Sequence, residues 1–172
     1  SDMRCLITYQ DSVGPYCQYG LKVIHRNLKK LEDLPYSSEE LRNEAASKAE
    51  KISIQGVQPK LSARLNISQG KMEVVGKRGT YILKPQSSEY PDLPENEDLT
   101  MRLAKSCGIQ VPLHFLMRGR DGQLTYVIKR YDRVGRNEKI SVEDFAQLSG
   151  QSRDTKYNSS MEKVAKTIET FC

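Results

Sequence analysis

Residues 61–85 read LSARLNISQGKMEVVGKRGTYILKP, and the pattern of apolar residues in this stretch predicts an antiparallel sheet. Leu61, Ala63 and Leu65 alternate with polar residues, which is the period of a strand buried on one face. A turn at residues 68–70 leads to a return strand at residues 72–75. A third strand follows at residues 80–84, and it ends at Pro85 because proline cannot donate to a strand ladder.

Helices and two more strands are predicted around this stretch. Ser37 and Glu40 have the spacing of a capping box before a helix that runs to Ile52. After two prolines, Asn96 is the predicted N-cap of a helix that ends at Gly108. Its predicted buried face consists of Leu99, Leu103 and Cys107. Strands at residues 113–117 and 124–130 enclose an Asp-Gly turn. This order predicts the α+β class.

We divide the chain into three parts. Residues 1–36 form a lead segment, in which Leu21, Ile24, Leu28 and Leu31 have helical spacing. Residues 37–133 hold the sheet. Residues 134–172 are expected to begin a helical lobe that continues in a longer protein. A helix predicted at residues 159–172 carries one apolar face, so it is expected to pack on a further lobe or on a partner.

Composition excludes some classes of protein. The 172 residues carry a net charge of +5, and the basic residues are scattered, so direct nucleic-acid binding is not expected. The longest apolar run has three residues, whereas a membrane helix needs about twenty. No apolar signal segment begins the sequence. A cytoplasmic protein is therefore expected, although export to a host cell stays open.

Three segments could carry chemistry. Residues 52–60, ISIQGVQPK, could cradle phosphates with backbone N–H groups and Lys60, or could be an ordinary connection with a glycine turn. Lys84 ends an apolar strand and Glu97 lies one helix later, so the two could pair at a nucleotide; otherwise they are a solvated lysine and a residue that stabilises its helix dipole. Residues 127–133 could be a hinge that bonds adenine, or an edge strand.

The order glycine loop, strand lysine, helix glutamate and hinge is the order in kinases. The segments ISIQGVQPKLS, YILKP, PDLPENE, MRLAKSCGI, VIKRYDR and ISVEDFAQLSG resemble the HipA-like serine/threonine kinases of bacterial toxin–antitoxin systems over residues 50–160. Because few residues precede the loop, the chain is most similar to the short HipT-type members. The resemblance implies a kinase-like N-lobe whose C-terminal helical lobe lies outside this chain.

The resemblance also implies site residues. The residues expected to contact ATP phosphates are Gln55, Gly56, Val57, Gln58, Pro59, Lys60 and Lys84. Glu97 would orient Lys84. Lys129, Arg130 and Tyr131 would form the hinge, and Ser53 matches the loop serine that family members autophosphorylate.

The catalytic residues and the Mg²⁺ ligands of this family are expected beyond residue 172, so the full-length protein would be the ATP-dependent kinase. The implied substrates are translation components such as an aminoacyl-tRNA synthetase. The implied partners are an antitoxin and a small companion protein in place of the amino-terminal subdomain. The lead segment resembles a Cys/His-containing segment of relatives, with Cys5 and His25 present, but no metal is expected there because zinc needs four ligands. The alternative is a non-catalytic module that docks a partner through residues 159–172.

Overall fold

The computed structural model describes residues 3–48 and 58–130. Within these ranges the chain forms seven strands and three helices. In chain order they are β1 (Met3–Arg4), β2 (Asp11–Ser12), α1 (Gln18–Ile24), α2 (Ser38–Lys48), β3 (Leu61–Asn66), β4 (Lys71–Val75), β5 (Tyr81–Lys84), α3 (Leu93–Ser106), β6 (His114–Arg118) and β7 (Leu124–Lys129).

The central element is an antiparallel sheet with the strand order β4-β3-β5-β7-β6. Leu83 of β5 pairs with Leu61 on one side and with Val127 on the other, so β5 lies at the centre. The five strands lie within one residue of the bounds predicted from the apolar residues and turns of the sequence. The predicted α+β class is confirmed.

One face of this sheet packs against the lead segment and α2. Leu61, Ala63, Tyr81 and Leu83 point to that face and are buried. They share a hydrophobic cluster with lead-segment and helix residues, namely Cys5, Ile7, Leu21, Ile24, Leu28, Leu31, Leu34, Leu41 and Ala45. Residues on both sides of position 36 therefore contribute to one core.

The lead segment differs from its predicted helix. The helix α1 ends at Ile24, because His25 is extended (φ −159°, ψ 135°). Leu28 and Leu31 are buried as the periodicity indicates, but they lie on irregular chain. The chain then reaches the sheet, where the Leu34 amide donates to the Arg118 carbonyl at 2.9 Å.

The helix α3 also differs from its prediction. It begins at Leu93 rather than after Asn96, and Asp92, in the left-handed region, precedes it. Pro94 lies in the first turn, where its fixed φ suits a helix and its missing N–H costs nothing. The fully buried face is Asp98, Met101 and Ala104, not the predicted Leu99, Leu103 and Cys107. This rotation decides which side chains meet the sheet.

The helix α2 begins as predicted. The Glu40 amide donates to the Ser37 hydroxyl at 3.1 Å, and the Ser37 amide donates to the Glu40 carboxylate at 3.3 Å. The capping box is therefore confirmed. The predicted continuation of this helix to Ile52 lies outside the described residues.

Candidate functional site

The structure brings Lys84 and Glu97 together. Lys84 is the last residue of β5, on the face opposite the core, and Glu97 lies on α3, which packs across that face. The Lys84 Nζ and the Glu97 Oε1 are 4.0 Å apart, and the two side chains are 16% and 12% exposed. With little water near them, the two charges interact more strongly than a surface pair does.

Tyr126 forms the floor beside this pair. It lies across from Lys84 in the register of β5 and β7, and its side chain is fully buried. The Lys84 Nζ lies 6.0 Å from the centre of its ring, at the outer limit of a cation–π contact. Burial raises the pKa of Tyr126, and the nearby Glu97 and Asp98 carboxylates raise it further. The hydroxyl therefore stays protonated, and among the described residues it has no hydrogen-bond partner.

Asp98, which follows Glu97, is the residue that the sequence interpretation missed. Its side chain has no solvent exposure. It accepts hydrogen bonds from His114 Nδ1 at 2.6 Å, from Arg102 Nε at 3.0 Å and from the Tyr9 hydroxyl. Burial alone raises the pKa of Asp98, but the hydrogen bond and charge of His114, with Tyr9 and Arg102, outweigh it and leave the pKa lowered. A carboxylate is thus held ionised in the interior.

The same contacts attach the lead segment to α3. The Arg102 guanidinium lies 3.6 Å from the centre of the Tyr9 ring and donates to the Ile7 carbonyl. Tyr9 itself lies in the left-handed region at φ 62°.

The sequence predicts only a strand at residues 80–84 and a helix near Glu97. It does not predict that Tyr9, Asp98 and His114 meet, because their spacing along the chain follows no recognisable pattern.

The described part of the predicted phosphate loop reaches the same end of the sheet. Leu61 pairs with Leu83, so the register extended by one residue places Lys60 across from Lys84. Lys60 is exposed, whereas Gln58 and Pro59 are half-buried. The Gln58 side-chain nitrogen is buried and lacks a hydrogen-bond partner among the described residues.

The predicted hinge has its main-chain donors occupied at two positions. The Lys129 amide donates to the Leu113 carbonyl at 2.8 Å, and the Arg130 amide donates to the Thr80 carbonyl at 2.8 Å. These two N–H groups are therefore used inside the lobe. Several other predicted features lie outside the described residues, namely Ser53, Gln55, Gly56, Val57, Tyr131 and the helix at residues 159–172.

The two lead-segment residues considered for a metal lie in different surroundings. The Cys5 sulfur is buried and accepts the Cys17 amide at 3.3 Å, while the exposed His25 accepts the Asn27 amide at 3.1 Å. Burial raises the pKa of Cys5, but N–H and hydroxyl donors bring it down to about 7. Within residues 3–48 and 58–130, no group of three or more His, Cys, Asp or Glu could hold a metal ion.

A cavity of about 540 Å³ lies elsewhere, on the lead-segment side of β6. No predicted site residue lines it. Its two arginines already have partners, since Arg118 pairs with Asp33 at 2.9 Å and Arg120 pairs with Glu40. In the described part of the chain, no helix is long and apolar enough to cross a membrane.

The family model described as HipA-like C-terminal domain matches residues 52–172, which is more than half of the chain. The chain belongs to the HipA-like family. Among curated relatives of this HipA-like chain, a Haemophilus influenzae protein named "Putative kinase" is 34% identical over 144 residues, covering 81% of the chain and 40% of the relative. Two Sinorhizobium fredii proteins of the same description are 36% and 34% identical, covering 63% and 74% of the chain.

The HipA-like chain is shorter than these relatives, since it spans 40%, 27% and 34% of their lengths. Among solved structures, the complex of Shewanella oneidensis HipA with HipB and its operator DNA matches 65% of the chain and 28% of the solved chain. The identity is 28% and the TM-score is 0.40.

Proposed function

We propose that this HipA-like chain is the ATP-binding lobe of a protein kinase. The observation that carries the proposal is the pair of Lys84 on the central strand β5 and Glu97 on α3, the helix that packs across the neighbouring strands β6 and β7. Protein kinases use a strand lysine paired with a helix glutamate to hold ATP phosphates. The descriptions of the curated relatives support the same class.

In this proposal the Lys84 ammonium binds ATP phosphate oxygens, and Glu97 keeps the long lysine side chain in one orientation. Lys60, across from Lys84, supplies a second positive charge at the open end of the sheet. The residues assigned to the phosphate loop are Gln55, Gly56, Val57, Gln58 and Pro59. The main chain around Lys129, Arg130 and Tyr131 binds adenine. Because the Lys129 and Arg130 amides already donate to carbonyls within the lobe, adenine is bound by the carbonyls of these residues or by the amides of the residues that follow.

Phosphoryl transfer also needs a base and Mg²⁺ held by carboxylates. We propose that the full-length protein supplies them from residues outside the described lobe, and that it transfers the ATP γ-phosphate to serine or threonine. The greater length of the curated relatives supports this division. Among substrates of this reaction, a translation component such as an aminoacyl-tRNA synthetase is the class that the family resemblance suggests.

Ser53 is the proposed site of autophosphorylation. A phosphate adds about 1.5 to 2 negative charges at neutral pH. Beside the ATP phosphates, that charge would repel the nucleotide, so the modification would switch the kinase off. The proposed partners are an antitoxin and a small companion protein, and the proposed location is the cytoplasm.

The test of this function compares the full-length protein with its Lys84→Ala variant in transfer of labelled γ-phosphate from ATP. We expect a loss of about a hundredfold or more, because one preorganised charge at the transferring group contributes that much. Lys71→Ala, which removes an exposed lysine from β4, is the matched control and should retain the wild-type rate. A wild-type rate in Lys84→Ala would refute the site.

A further inference from the structure

We propose that Asp98 and its three donors Tyr9, Arg102 and His114, here called the Asp98 cluster, position Glu97 for Lys84. The inference rests on the proposed function and assigns to the lead segment a part in ATP binding. Tyr9, Asp98 and His114 act in it as positioning residues, since each acts through Glu97.

The first step is that the hydrogen bonds to Asp98 can form in only one rotational position of α3. An ionised carboxylate without solvent exposure is stable only where hydrogen bonds and positive charge compensate it. Here the donors come from three places, namely the segment between β1 and β2, α3 itself and β6. A rotation of α3 would break the bonds to Tyr9 and His114 together, so the cluster holds the helix at one angle.

The second step is that Glu97 can move only a short distance before its ion pair with Lys84 is lost. It precedes Asp98 directly, and neighbouring residues on a helix are separated by about 100° of rotation. Its carboxylate oxygen lies 4.0 Å from the Lys84 ammonium, at the long end of ion pairing. A small rotation or shift of α3 that loosened Asp98 would therefore also separate Glu97 from Lys84.

The third step is that Tyr9 is itself held rigidly. The Tyr9 amide donates to the Cys5 carbonyl at 2.8 Å, and the Leu6 carbonyl accepts the Leu116 amide of β6 at 3.2 Å. Arg102 stacks on the Tyr9 ring. The Tyr9 hydroxyl thus reaches Asp98 from a fixed base. A residue early in the chain can in this way set the geometry of the Lys84–Glu97 pair.

The experiment is a double-mutant cycle on ATP affinity in the full-length protein. Tyr9→Phe removes one donor to Asp98 but keeps the ring against Arg102, so we expect ATP to bind about three to ten times more weakly. In a Glu97→Gln background, the same change should alter ATP affinity less than twofold, because the carboxylate that the Asp98 cluster positions is already absent. His114→Gln, which loses the Nδ1 donor from a different element, should repeat this pattern.

The matched control is Tyr16→Phe. The Tyr16 hydroxyl also comes from the lead segment and bonds β6, accepting the Arg118 amide at 3.1 Å, but it does not contact Asp98. Tyr16→Phe should leave ATP affinity unchanged.

The outcomes separate this inference from the function on which it rests. Equal losses in the wild-type and Glu97→Gln backgrounds would assign the cluster a purely structural role and overturn the inference. So would unchanged affinity in both Tyr9→Phe and His114→Gln while Lys84→Ala still weakens ATP binding. Unchanged affinity in Lys84→Ala would overturn the proposed function, and the inference with it.

Discussion

The ionised Asp98 is the residue on which most contacts of the site converge. Its three donors come from positions 9, 102 and 114, and none of these can be paired with it from the sequence. The charge of a buried carboxylate costs several kcal/mol unless its partners compensate it. The stability of the lobe therefore depends on the ionisation of one buried carboxyl group, and that ionisation can be changed by pH.

Asp98→Asn should show this dependence. Because the pKa of Asp98 is lowered in the folded protein, ionisation stabilises the fold above the ordinary Asp value of 3.8, and the contribution is lost as pH falls through the lower folded value. The wild type should thus exceed Asp98→Asn in free energy of unfolding at pH 7. The difference should shrink below pH 3.8.

Denaturant unfolding of both proteins between pH 2 and pH 7 measures this difference. Tyr9, Arg102 and His114 face Asp98, and all three remain in the variant, so the comparison isolates the carboxylate. A difference that stays constant over the whole pH range would mean that Asp98 is not held ionised.

At the scale of elements, the sequence predicts the strands and one helix start well, and it misplaces α3. The strands β3 and β5 alternate between buried and less buried residues, and β6 and β7 are short apolar runs on either side of an Asp-Gly turn; both patterns can be recognised from local sequence. Ser37 and Glu40 likewise satisfy each other within one turn. The rotation of α3 depends instead on which of its faces finds Tyr9 and His114. Leu99 and Leu103 give the stronger apolar stripe, but the buried face centres on Asp98 and Met101.

Ser37→Ala tests the best-predicted element boundary. It removes the hydroxyl that accepts the Glu40 amide, so α2 loses one cap and the protein should lose about 1 kcal/mol of stability. Ser47→Ala, at the other end of α2, is a suitable control because its hydroxyl bonds only a carbonyl in the last turn. Thermal unfolding compares the two. Equal effects would mean that the capping box contributes nothing.

At the scale of the molecule, the lead segment is part of the lobe. Leu21, Leu28 and Leu34 lie in the same hydrophobic cluster as Leu83 and Val127 of the sheet. The apolar spacing of the lead segment correctly marks which residues are buried. It misassigns Leu28 and Leu31 to a helix, because an irregular chain pinned to β6 can bury residues at the same spacing. The contact of this segment with α3 was not predictable, since it joins residues about ninety positions apart.

The most direct test of the account is the affinity of the full-length protein for ATP compared with adenosine. If Lys84 binds phosphates, the wild type should prefer ATP, and Lys84→Ala should reduce that preference about tenfold or more while adenosine affinity stays the same. Lys71→Ala should behave as the wild type. An ATP preference that survives intact in Lys84→Ala would contradict the account.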